Sequence, residues 1–132
     1  MQRVCALLAC SALLSACFGD SPESRIASGK KYLEKNDAAA AVIEFKSALQ
    51  KNDQSAEARL LLGKALLSNS EPVAATIELN KARALKISDD EVVPLLARAS
   101  LLSGEPKKVV ELYSDVQLSG PAANADLKST IA

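Results

Sequence analysis

Between Val4 and Ala16 the chain runs thirteen residues without a charge, with Arg3 before them; beyond Pro22 the pattern changes to apolar positions set among charged ones at helical spacing. The uncharged run is too short to cross a bilayer core of about 30 Å but suits the apolar region of a signal peptide. Laid on itself at a shift of 34, the rest of the chain matches Gly29 to Gly63, Lys30 to Lys64, Leu33 to Leu67, Ala41 to Ala75, Ile43 to Ile77, Glu44 to Glu78 and Ala48 to Ala82. A second shift of 34 brings Leu62 onto Leu96, Lys64 onto Arg98, Ala65 onto Ala99, Leu67 onto Leu101 and Glu71-Pro72 onto Glu105-Pro106. A recurrence of that length is the signature of a helical array.

The pattern predicts six helices, over about 22–35, 38–51, 56–69, 71–86, 90–103 and 106–117. Ser21 is the expected N-cap of the first, with Pro22 in its first turn and Glu23 near the positive end of its dipole. Turns are expected at Asn36-Asp37, Asn69-Ser70 and Ser103-Gly104, and Pro72, Pro94 and Pro106 in opening turns, where a missing N–H costs little. Gly63 and Ala75 let helices approach closely while Leu62, Leu66, Leu79 and Leu96 fill the layer between them. The segment from Ala125 to Ala132 reads as another first helix that stops after about two turns. It would cover only part of the surface formed by Val109, Leu112, Tyr113 and Val116, so the expectation is the N-terminal piece of a longer solenoid or a truncated gene product.

Composition narrows the chemistry. With 16 basic and 16 acidic residues the formal charge is zero, which gives no electrostatic footprint for nucleic acid. The absence of His removes imidazole acid–base chemistry, His-ligated metals and His-dependent triads. Asp89-Asp90-Glu91 falls at a helix start and reads as capping, with no second carboxylate cluster to complete a metal or glycosidase site. Lys107 and Lys108 are expected to pair with Glu111, and Tyr32 and Tyr113 to fill the core. No enzymatic activity, cofactor, metal or small-molecule substrate is therefore expected.

The residues resemble the tetratricopeptide repeat, a 34-residue helix-turn-helix with small residues at helix crossings and bulky ones between. The resemblance implies an all-α fold, an α-solenoid of about three units at 22–55, 56–89 and 90–123, with 124–132 the truncated start of a further one. Gly29, Tyr32, Ala41, Phe45, Ala48 and Leu49 fall on the family's positions in the first unit, and Gly63, Leu66, Ala75, Leu79 and Ala82 in the second. Ala97, Val109, Tyr113 and Val116 do so in the third, with Pro121 matching the closing proline. Arg25 and Ser28 depart from the usual apolar residues, as suits the exposed end of a stack.

Leu14-Ser15-Ala16-Cys17 looks like a bacterial lipoprotein signal, which implies a signal peptide over 1–16, lipidation at Cys17 and a tether over 17–21. Cleavage would remove Cys5 and Cys10 and leave Cys17 carrying acyl chains, so no disulfide is expected and more than one chain would hold the protein at the membrane. Phe18 after that Cys, in place of Asp, implies the outer membrane by resemblance to enteric lipoproteins. The stretch from Cys17 through Asn36-Asp37-Ala38 to Ala56-Glu57-Ala58-Arg59 and Gly63-Lys64-Ala65-Leu66 is similar to the start of the large repeat lipoproteins of exosortase (PEP-CTERM) systems. That family implies a periplasm-facing scaffold for exopolysaccharide production or surface-protein sorting, with envelope proteins as partners. An anionic-polysaccharide component of export and a repeat lipoprotein of outer-membrane assembly are the alternatives. Because the family's first helices line a groove, Lys30, Lys64 and Arg98 imply a cationic ladder with rungs about 10 Å apart, able to hold an acidic ligand. Glu23, Glu57 and Glu91 on the same helices offset it. The groove has no Asn in the arrangement that clamps chaperone tails.

Overall fold

A computed structural model describes residues 20–132, so the signal peptide, Cys17, Phe18 and Gly19 lie outside the described residues. Among the described residues the chain is wholly helical: α1 (Pro22–Glu34), α2 (Ala38–Lys51), α3 (Ala56–Ser68), α4 (Pro72–Ala84), α5 (Asp89–Leu102), α6 (Pro106–Tyr113) and α7 (Pro121–Ile131). The starts follow from local chemistry. Ser21, Asp37 and Ser55 accept hydrogen bonds from the amides of Ser24, Ala40 and Ala58, and proline opens α1, α4, α6 and α7.

Where α1, α3 and α5 end, the backbone repeats itself. Asn36, Ser70 and Gly104, each 34 residues from the last, take the left-handed conformation at φ 59°, 60° and 77°. In each case the next amide bonds back to the carbonyl five residues earlier: Asp37 to Tyr32 at 2.9 Å, Glu71 to Leu66 at 2.8 Å and Glu105 to Ser100 at 3.0 Å. This closure satisfies carbonyls that the helix leaves open and turns the chain into α2, α4 and α6.

Each turn folds two helices into a hairpin, α1 on α2 and α3 on α4, and successive hairpins meet through α2 on α3 and α4 on α5. The crossings require glycine. A Cβ at Gly29 would stand 2.5 Å from the Phe45 ring, and one at Gly63 2.6 Å from Leu79. Phe45, Leu66, Leu79 and Val92 are completely or almost completely enclosed in one core that runs from α1 to α5. Tyr32 and Tyr113 pack against it, and burial raises the Tyr113 phenol above its usual pKa.

The C-terminal part departs from the expected layout. α6 ends at Tyr113, short of the expected 117, and α7 begins at Pro121, ahead of the expected start at Ala125. Pro94 stands inside α5, past its opening turn, because the helix begins at Asp89. α7 rests mainly on α5 and only marginally on α6. It closes a second apolar cluster of Val93, Ala97, Val109, Leu118 and Leu127, with Val116 and Tyr113 at its edge. Leu112, 51% exposed, is left outside that cover.

Candidate functional site

The three cations singled out by their spacing lie on α1, α3 and α5, helices that neighbour one another directly, so the ladder occupies consecutive elements of one row. Lys30 is exposed and donates through Nζ to Glu57 Oε1 of α3 at 2.6 Å, an ion pair that ties the first hairpin to the second. At this exposure such a pair contributes roughly 0–1 kcal/mol. Lys64 is half-buried and Arg98 exposed, and neither forms an ion pair among the described residues.

Lys64 borders an open groove of about 530 Å³ between α3, α5 and α7, together with Asp90, Glu91, Leu95 and Asp126. One cation thus shares the groove with three carboxylates. Of the acidic residues that the sequence sets against the ladder, Glu91 stands in the same space as its middle rung, whereas Glu57 pairs with Lys30. Asp126 of α7 adds one that spacing alone did not indicate. Among the described residues no group of three His, Cys, Asp or Glu could hold a metal ion, and no helix is long and apolar enough to cross a membrane.

Two other charged positions resolve into structure. Arg25 Nη1 donates to Glu44 Oε2 at 3.2 Å, and Arg59 Nη1 to Glu78 Oε2 at 2.5 Å. Both residues of the second pair shift by 34 from the first, so Arg25 is a hairpin clasp and more than the polar face of a terminal helix. Burial pushes Glu78 up, but hydrogen bonds from Lys81 and Arg59 outweigh it and hold the carboxyl below its usual range. In the third hairpin the matching places are taken by Val93 and Leu112.

The acidic triplet at the α5 start divides its roles. Arg83 donates twice to Asp89, at 2.7 and 2.9 Å, and this hydrogen bonding holds Asp89 below the usual carboxylate range. Asp90 accepts the Ser119 and Gly120 amides, while Ser88, at the N-cap of α5, makes no side-chain capping bond. Neither aspartate spends these bonds on capping its own helix; Asp90 serves the start of α7. Lys108 pairs with Glu105 at 3.0 Å in place of the expected Glu111.

On the opposite side, the backbones of α2 and α4 stay apart and leave a second open groove of about 410 Å³, floored by Leu62 and Leu66 and walled by Leu49, Lys46, Ala74 and Ile77. The half-buried charge pair on its lining, Arg59 with Glu78, is satisfied internally. With these surfaces described, comparison with known proteins adds no identity: no family model matches the chain, and no curated protein matches it.

Proposed function

We propose that the chain is a lipid-tethered interaction module of the tetratricopeptide type, facing the periplasm of a Gram-negative cell envelope. It would act in exosortase-linked exopolysaccharide production or surface-protein sorting, holding envelope proteins together without catalysis. One observation carries the repeat reading: the left-handed turn inside a hairpin occurs three times, the glycine crossing and the Arg–Glu clasp twice, all at intervals of 34 residues, and the same closure at Lys86 after α4 stands apart from that series. The cellular setting is supported by the resemblances around Cys17 and across the first two units alone.

The row of first helices is the binding face in this reading, with Lys30, Lys64 and Arg98 selecting an acidic segment of the partner. Because Lys64 shares its groove with three carboxylates, recognition of a mixed-charge segment fits better than capture of a uniform polyanion. Two measurements test the proposal. Cys17→Ala should move the chain from the membrane fraction to the soluble periplasm. Reversing all three cations to Glu should abolish recovery of envelope partners in a pull-down, and unchanged recovery would remove this face from the account.

A further inference from the structure

α7 is held in a manner that no other helix among the described residues shares. Gly120, at its cap position, supplies no side-chain oxygen; the carboxylate of Asp90, reaching over from α5, accepts the Ser119 amide at 2.8 Å and the Gly120 amide at 2.9 Å. Behind this contact the loop closes on itself. Asn124 accepts the Leu118 amide at 2.9 Å through Oδ1 and donates through Nδ2 to the Leu118 carbonyl. Beneath lies the second apolar cluster, in which Leu127 is the only buried residue that α7 contributes.

We propose that α7 is a latched lid, which opens together with the loop before it while α1 to α5 stay folded. Asp90 is the latch and Leu127 the anchor. The local free energy of opening is set by the apolar contacts and hydrogen bonds that must be given up, and for α7 these are few. α3, by contrast, is buried on both sides, with Leu60, Leu62, Leu66 and Leu67 all inside the main core. Opening α7 would uncover Val93 and Ala97 and take Ala123 and Asp126 away from the groove that Lys64 borders. The lid therefore sets the shape and charge of that groove, and a ligand seated there would bias the lid in turn, while opening in the free chain is set by these contacts alone.

Hydrogen exchange on the protein, read by mass spectrometry helix by helix, tests this. Amides of α7 should exchange at least about tenfold faster than those of α3, through a local route. Asp90→Ala should speed α7 by a further factor of roughly ten to a hundred, because two carboxylate–amide bonds are lost. Asp90→Asn, which keeps one acceptor oxygen, should give a smaller increase. Leu127→Ala should also act on α7 selectively, and in all three variants α1 to α4 should keep the original rates. The proposal is overturned if α7 exchanges in step with α3, if both Asp90 variants leave α7 unchanged, or if any variant accelerates all helices equally.

Discussion

A Cβ at Gly63 would stand 2.6 Å from Leu79 and nothing nearby would relieve it except movement of that leucine, so the hairpin α3–α4 is built around the absence of one carbon. Two effects compete in Gly63→Ala. Alanine gains about 0.8–1 kcal/mol of helix propensity, whereas overpacking a fitted core costs about 1–3 kcal/mol. The clash wins, and denaturant unfolding should show a net loss of roughly 1 kcal/mol. With Leu79→Ala already present the obstacle is gone, and the same substitution should become stabilising. The Arg59–Glu78 clasp is also a residue-scale device, and it has a pH signature. Glu78 has its carboxyl held below the ordinary 4.5 in the folded chain, so its contribution is present above that value and lost as pH falls through the lower folded one. Glu78→Gln should flatten the acid limb of the stability–pH curve in that window, and an unaltered limb would show that the clasp has no linkage to folding.

Turns and helix ends belong to the next scale up. Asn36, Ser70 and Gly104 occupy one left-handed position in three hairpins, and serine is the least suited of the three. An L-residue there costs about 1–2 kcal/mol, of which glycine returns about 0.5–1 through its freer unfolded chain. Ser70→Gly should therefore raise stability by about 0.5–1 kcal/mol, and Gly104→Ala should lower it by a similar amount, both measurable from midpoints at constant m. These turns were legible in the sequence because the Asn-Asp, Asn-Ser and Ser-Gly pairs interrupt the periodicity at the repeat interval. The helices around Gly29 and Gly63 were legible for the same reason. The clasps were harder to see: Arg25 and Glu44 are 19 residues apart on different helices, and only the joint recurrence of Arg59 with Glu78 marks them. The early end of α6 and the start of α7 at Pro121 were missed because the third unit was read on the spacing of the first two. There Pro121 closes a unit; in the fold it opens a helix. The ladder was legible as a spacing, but the ion pair of Lys30 with Glu57 and the acidic surroundings of Lys64 depend on how neighbouring hairpins meet.

Among the described residues, helices approach those next to them in sequence or in the first-helix row, and the backbones of α2 and α4, and of α4 and α6, stay apart. Energetic effects should then be local. Phe45→Leu in α2 and Val109→Ala in α6 belong to different apolar clusters, and their stability losses should add within about 0.3–0.5 kcal/mol. A larger discrepancy would mean that the clusters communicate through α5, which contributes buried residues to both, or through Tyr113 of α6, which packs against both.

Because α4 seats α5 as α2 seats α3, the join between hairpins is interchangeable. A duplicate of residues 56–89 inserted after Ile87-Ser88-Asp89 would set its first helix on the original α4, where α3 now meets α2, and its own trailing side would receive α5 as before. Such a protein should lengthen by one notch with a single new join to fit, so that reach, more than shape, is the property most easily altered by a single genetic event.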